Sequence, residues 1–234
     1  MQFLKGDCLE VLPTLKESSI DLIFTSPPYW KGFVYESYFN SYLQYIEWSK
    51  KWTKEIKRVL KDDGWFLLNI ANDSETSVKA FEILNICLEN WKLHDTIIWN
   101  VYNRQPANTS RQLTNQTEYI FVFRKYSANA FINKEGIVEQ YPNVFETKNV
   151  GNIWKIPFKV SKSSLKKVIG GEKNWGHSGL PSILCEIVIK LFSKEGDMIM
   201  DHFAGTGIVG ITATKLNRKS ILIDKNNLEI KDEV

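Results

Sequence analysis

The chain has 234 residues, 43% hydrophobic and 24% charged, which suits one domain, or one domain with a modest insertion, with a sizeable core, and a multi-domain machine is not expected. The 30 Lys+Arg against 27 Asp+Glu leave a net charge of only +3, so any nucleic-acid surface must come from local clustering. Cys8, Cys87 and Cys185 lie far apart without a C-x-x-C pair, and no apolar run approaches the ~20 residues that span a bilayer, so neither a metal site, a disulfide framework nor a membrane partner is expected and the location read is cytoplasmic.

A short strand is expected at 3–5, a helix at 9–16 and a buried strand at 20–25, where Leu22-Ile23-Phe24 run on without polar interruption. A helix follows at 38–60, because Leu43, Ile46, Trp52, Ile56 and Val59 recur at mostly helical spacing and Asp62-Asp63-Gly64 supplies a stop. Then come a strand at 65–70, a helix at 75–91, strands at 96–101 and 118–123, a helix at 181–193, a strand at 198–201, a helix at 208–216 and a strand at 220–224. Alternating strands and helices predict an α/β fold with a mostly parallel sheet. From 126 to 176 the alternation stops and Gly, Pro, Asn, Ser and Lys prevail, so this stretch reads as an insertion between a first part, 1–125, and a last part, 177–234. Within it, residues 155–173 hold six lysines and a single acid, Glu172, which suits either a solvated surface or a phosphate-contacting segment.

Two motifs end strands. Thr25-Ser26-Pro27-Pro28-Tyr29-Trp30 follows the second strand, and Asp201-His202-Phe203-Ala204-Gly205-Thr206-Gly207 follows the penultimate one, directly before a helix. The glycines permit a tight turn and close backbone approach to a ligand at a helix N-terminus. Gly205, Gly207 and Gly210 also spell G-x-G-x-x-G with Asp224 downstream, the fingerprint of a nicotinamide-dependent enzyme, but the stretch after Gly210 is too short for the strand and helix units such a domain adds. The two motifs together, catalytic first and glycine loop last, resemble the permuted beta group of the S-adenosylmethionine-dependent DNA amino-methyltransferases. The resemblance implies a Rossmann-like, seven-stranded, mostly parallel sheet in circularly permuted motif order, with 126–176 as an inserted target-recognition segment.

It also implies site roles. Phe203, Ala204, Gly205, Thr206 and Gly207, after the acid-ended strand at Asp201, would lie against the methionine part of S-adenosyl-L-methionine, and Asp224, with Lys225 beside it, against the ribose. Gly6-Asp7-Cys8-Leu9 resembles the opening segment in which Asp7 and Cys8 hold the adenine ring, although Asp7 also reads as a helix N-cap, and Asp224 as a turn cap. Gly176-His177-Ser178-Gly179-Leu180-Pro181 resembles a His-Pro stretch near the methionine end, with Ser178 where proline is usual, and a plain surface turn fits equally. Ile97-Ile98-Trp99-Asn100 through Pro106, Arg111 and Glu118-Tyr119 resemble blocks that flank the target pocket. Trp30, Asn103, Arg104 and Arg111, together with Lys162, Lys166 and Lys167, are the expected DNA contacts, and 30–37 a flap over the target.

Chemistry at the first motif agrees with transfer to nitrogen. Two prolines fix φ and remove two donors, leaving carbonyls that only accept. If Ser26 and the Pro27 carbonyl accept the N–H groups of an exocyclic amine, its lone pair is drawn from the ring plane toward the cofactor methyl, and Tyr29 stacks on the extruded base. Transfer to C5 is disfavoured, because no cysteine stands in a Pro-Cys turn. Serine before Pro-Pro-Tyr leans toward cytosine N4 in the family, with adenine N6 second, since a hydroxyl accepts from either amine. A nucleic-acid-binding module without turnover is the reading of another class, and an RNA or protein amide methyltransferase would place its cofactor motif first. Expected partners are double-stranded DNA, a cognate restriction endonuclease and a second copy of the chain.

Overall fold

The structure is a computed structural model and describes residues 1–30, 39–72, 78–104, 113–126, 130–158 and 179–228. In chain order these form β1 (Gln2–Lys5), α1 (Cys8–Val11), β2 (Ile20–Thr25), α2 (Tyr42–Val59), β3 (Leu60–Ile70), α3 (Lys79–Leu88), β4 (Lys92–Asn100), β5 (Thr117–Arg124), α4 (Ile137–Gln140), β6 (Ile153–Lys155), α5 (Ser182–Phe192), β7 (Met198–Asp201), α6 (Ile208–Lys215) and β8 (Lys219–Asp224). The strands build one eight-stranded sheet in the order β1-β8-β7-β2-β3-β5-β4-β6. Only β5 runs against its neighbours β3 and β4; the other pairings are parallel.

Side-chain alternation along the strands divides the core. Leu22, Phe24, Trp65, Leu67, Ile120 and Val122 face a cluster closed by α5 and α6. Their neighbours Ile23, Phe66, Leu68, Phe121 and Phe123 face a second cluster under α1, α2 and α3. A sheet buried on both faces explains why its strands read as unbroken apolar runs. The helix α2 enters through Ser41, whose hydroxyl accepts from the Gln44 N–H at 3.3 Å, and it buries Tyr45, Trp48, Trp52, Ile56 and Val59.

One expectation is corrected here: the sheet has an eighth strand, β6, contributed by the stretch read as an insertion. Ile137, Tyr141, Val144, Phe145, Trp154 and Ile156 from it are buried in the first core cluster, and β6 pairs with the edge strand β4. The strand has only three residues and its neighbours alternate little, so periodicity had nothing to register. The lysine-rich part from 159 onward lies outside the described residues.

The end of β7 carries two buried titratable groups. Burial pushes the Asp201 carboxyl up to about 7, against the hydrogen bonds it receives from Thr25 and the Phe203 N–H, and Asp224 adds to the rise. Burial pushes the next residue, His202, down to about 3; its ring lies 5.2 Å from Trp52 and 4.3 Å from Phe203. Neither His202 nitrogen has a hydrogen-bond partner among the described residues, nor do the indole nitrogens of Trp48 and Trp52. Burial in this aromatic setting favours the neutral imidazole, whose unpartnered nitrogens carry a desolvation cost.

Two outcomes follow from these contacts. Replacing Trp154 with Ala should lower stability by about 3–5 kcal/mol in chemical denaturation, as for a core tryptophan, whereas an independent insertion would leave the midpoint unchanged. For the two titratable groups, the raised Asp201 pKa contributes stability that is present below its unfolded value near 3.8 and is lost as pH rises to about 7. The depressed His202 pKa acts in the opposite sense, contributing stability present above 6.5 and lost as pH falls toward about 3. The two slopes oppose each other, so denaturation of ligand-free protein across mildly acidic pH should show Asp201→Asn gaining stability with rising pH and His202→Phe losing it.

Candidate functional site

Because β1, β8, β7, β2 and β3 are parallel, their carboxyl ends lie along one edge of the sheet, and antiparallel β5 brings its amino end to that edge. In spatial order the edge presents Asp7 after β1, Asp224 ending β8, Asp201 ending β7, Ser26 after β2, Asn69 near the end of β3 and Glu118 near the start of β5. Open parallel sheets place ligands at this edge. The two motifs, far apart in sequence, become neighbours because β2 pairs with β7 through Leu22 with Ile199 and Ile23 with Met200. Thr25 Oγ1 then donates to Asp201 Oδ1 at 2.7 Å, joining the last residues of both strands.

On the glycine-loop side, Gly205 and Gly207 hold φ of +49° and +75°, a region that side chains with a Cβ rarely adopt. Asp201 Oδ1 accepts from the Phe203 N–H at 3.0 Å, and the Ala204 N–H donates to the Ile223 carbonyl at 3.0 Å, tying the loop to β8. Gly210 packs the start of α6 on that strand, where an added Cβ would come within 2.6 Å of Leu222 Cδ1. Phe203 tucks inward, 5.3 Å from Trp48 and 5.4 Å from Trp52, and Ala204 is buried, while Gly205 and Thr206 are exposed. Asp224 closes the loop: Oδ2 accepts from the Gly205 N–H and Oδ1 from the Asn226 N–H, each at 2.8 Å.

Asp7 caps α1 by accepting from the Leu9 N–H at 2.8 Å, and its other oxygen pairs with Lys225 at 2.9 Å. Burial alone would raise its carboxyl, but Lys225 and the Leu9 N–H outweigh this and hold it below the usual range. Both capping roles weighed for Asp7 and Asp224 are therefore present in the structure. Cys8, Cys87 and Cys185 are buried free thiols pushed well above their ordinary pKa by burial, the opposite of what a base-attacking thiolate needs.

On the catalytic side, the Ser26 and Tyr29 hydroxyl oxygens lie 2.7 Å apart, and Asn69 Oδ1 accepts from Ser26 at 3.2 Å and from Tyr29 at 2.9 Å. The Pro28 carbonyl is taken by the Tyr45 hydroxyl at 2.8 Å, whereas no hydrogen bond among the described residues ends on the Pro27 carbonyl. Trp30 has φ of +54°, and Lys79 Nζ donates to its carbonyl at 2.6 Å. Its ring stacks 6.2 Å from Tyr45 and meets Phe39 edge-on at 5.9 Å, so this expected DNA contact also anchors the turn to α2.

Other expected DNA contacts are committed within the protein. The Asn103 side chain donates to the Phe158 carbonyl at 3.0 Å and accepts from its N–H at 2.7 Å, clamping the segment after β6. Arg104 pairs with Glu118. Arg111, Lys162, Lys166, Lys167, His177 and Ser178, with most of the expected flap at 30–37, lie outside the described residues. Sequence reasoning missed Thr25, Tyr45, Lys79 and above all Asn69, although a lone Asn in the apolar run Trp65-Phe66-Leu67-Leu68-Asn69-Ile70 signals a buried amide that must find partners.

Comparison with known proteins agrees with this geometry. Type II methyltransferase M.HinfI of Haemophilus influenzae is 29% identical over 240 residues, which take in 95% of this chain and 64% of that protein. The chain thus spans slightly less than two thirds of that relative. Among solved structures, the cytosine-N4-specific PvuII DNA methyltransferase superposes with a TM-score of 0.79 at 19% identity, covering 99% of this chain and 87% of the other. A Thermus thermophilus protein described as a DNA modification methylase, complexed with S-adenosyl-L-methionine, gives a TM-score of 0.67 at 22% identity over 96% of this chain and 88% of that one. These two likenesses show the methyltransferase fold. The family described as DNA methylase, of the N6 and N4 type, matches residues 20–232, and the chain belongs to it.

Proposed function

We propose that this chain transfers a methyl group from S-adenosyl-L-methionine to the exocyclic amine of a base flipped out of double-stranded DNA, with cytosine N4 as the acceptor. The observation that carries the reading is the meeting, at adjacent parallel strand ends, of a glycine loop with the Ser26, Pro27 and Tyr29 acceptor set. The residues on the cofactor side suit the group. A cationic sulfonium and ammonium call for carboxylates, and Asp201 is a buried carboxyl held near neutrality by burial, which a nearby cation would ionise. The loop is exposed at Gly205, whose N–H is held by Asp224, and an added Cβ there would meet nothing closer than 4.0 Å.

When bound, the cofactor supplies an electrophilic methyl on a positively charged sulfur. The chain does the rest. Ser26 Oγ and the open Pro27 carbonyl accept the two N–H bonds of the target amine, which turns its lone pair toward the methyl. That nitrogen would receive the methyl of the bound cofactor, leaving a neutral thioether, and would pass its surplus proton to water. Tyr29, held by Asn69, gives the flipped ring a face to stack on. Tyr45 occupies the Pro28 carbonyl and so leaves the Pro27 carbonyl as the acceptor of this turn.

Cytosine is favoured by the serine at position 26, and the PvuII enzyme, described as cytosine-N4-specific, shares the fold. The name of M.HinfI, a Type II methyltransferase, supports a place in a restriction–modification system with a cognate endonuclease. The stretch from 159 to 178, with its lysines, is proposed to reach the DNA, and a second copy of the chain is a proposed partner.

Nucleoside mass spectrometry after incubation with unmethylated duplex DNA and S-adenosyl-L-methionine tests the reaction. N4-methylcytosine is expected; N6-methyladenine keeps the mechanism and changes the base; neither product, with the cofactor still bound in calorimetry, refutes the reading. Ser26→Ala and Tyr29→Ala should each cost about 10²-fold or more in turnover with cofactor binding retained, whereas Asp224→Ala should weaken cofactor binding. Equal loss of binding in all three would contradict this assignment.

A further inference from the structure

Asn69 is the most connected polar side chain of the edge. It is 1% exposed, and its amide is fully committed: Nδ2 donates to Glu118 Oε2 and to the Tyr119 carbonyl, each at 3.3 Å. Both partners only accept, so the amide cannot turn over without placing its oxygen against a carboxylate and a carbonyl. Glu118 is itself held by Arg104, which takes its other oxygen. Oδ1 is therefore locked toward the catalytic turn, where it lies 3.2 Å from Ser26 Oγ and 2.9 Å from the Tyr29 hydroxyl.

We propose that Asn69 is a positioning residue that sets the proton direction of the catalytic hydroxyls. The inference rests on the methyl-transfer reading above. A serine hydroxyl has one proton and two lone pairs. With that proton directed inward, to the Tyr29 oxygen that Asn69 Oδ1 orients, only lone pairs face the target amine, and Ser26 accepts an amine N–H. With the proton turned outward, donor would face donor and the amine would be repelled. The Tyr29 hydroxyl donates to Asn69 Oδ1 at 2.9 Å, and the Ser26 hydroxyl, 2.7 Å from the Tyr29 oxygen, gives its one proton to Tyr29, so Asn69 sets both hydroxyls through this relay. Being neutral, Asn69 takes no proton from the substrate; it orients and does not act as a base.

Charge makes the role testable. Asp in place of Asn69 keeps the shape but sets a second carboxylate oxygen against Glu118 Oε2. The titratable and charged groups facing this position are Tyr29 from the turn, Glu118 from β5 and, behind Glu118, Arg104. A new Asp beside the Glu118 carboxyl must hold a proton to rebuild the donor that Nδ2 supplied, and a neighbouring acid favours that protonated form.

Single-turnover methylation of unmethylated bacterial genomic DNA with tritium-labelled S-adenosyl-L-methionine reads the effect. Asn69→Ala should lose about 10²-fold in rate with cofactor affinity unchanged. Asn69→Asp should be active at mildly acidic pH and lose activity as pH rises through the range where the new carboxyl ionises, a decline absent from the wild-type profile. An Asn69→Asp profile parallel to wild type, or an Asn69→Ala rate equal to wild type, overturns the proposal. A wild-type chain that methylates no DNA overturns the reaction and this role with it. Separately, hydrogen exchange of the Asn69 side-chain amide in the free protein should be slow and should quicken in Glu118→Gln; fast exchange in wild type removes the lock whatever the reaction.

Discussion

The hydrogen bond from Thr25 Oγ1 to Asp201 Oδ1, 2.7 Å long and buried, joins the two halves of the site. Thr25 is the last residue of β2 and precedes Ser26; Asp201 is the last of β7 and precedes the glycine loop. Fixing these two atoms fixes the spacing between the acceptor turn and the cofactor loop, and a displacement of the reacting atoms by about 1 Å is costly to transfer. The bond also explains how a carboxyl survives burial: two donors on one oxygen partly offset the loss of water, and the remaining penalty appears as a raised pKa.

The polar groups along the edge follow a gradient of commitment. Asp7 and Asp224 are already engaged by backbone donors, Asp7 also by Lys225, Glu118 by Arg104, and Asn69 by Tyr29, Glu118 and the Tyr119 carbonyl. Such groups arrive preorganised, so a ligand meets fixed dipoles and pays little to reorient them. The Pro27 carbonyl is the counterpart, unclaimed by the described residues and available to a ligand. Support from α2 and α3 keeps the turn in this state, with Tyr45 on Pro28 and Lys79 on Trp30. The left-handed φ of Trp30 is one that only a well-packed environment maintains, and its ring is wedged among Phe39, Tyr42 and Tyr45.

Much of this was legible in the sequence because it depends on local chemistry. Unbroken apolar runs such as Leu22-Ile23-Phe24 marked strands covered on both faces, and the two motifs marked their carboxyl ends. The edge strand β6 was not legible, since Ile153, Trp154 and Lys155 owe their strand state to pairing with β4 and to a buried Trp154, both non-local. Arg104 looked like a free cation because its partner Glu118 arrives only when β5 folds back antiparallel to β4. Asn69 escaped for a related reason. Its neighbours in sequence are apolar, and its chemical meaning lies in Ser26, Tyr29 and Glu118, brought from other places in the chain.

The order of the motifs along the chain matters little to the finished site. Strand β7 sits between β8 and β2, so the cofactor loop is flanked on one side by late sequence and on the other by early sequence. Geometry at the edge depends on which strands are neighbours and on their direction, and neither depends on the order in which the chain visits them. What the order does change is the separation of contacting residues: Thr25 and Asp201 are 176 positions apart, so closing the site must await pairing of distant strands. The antiparallel pairing of the consecutive strands β4 and β5 spans a shorter stretch of chain and can form without that closure.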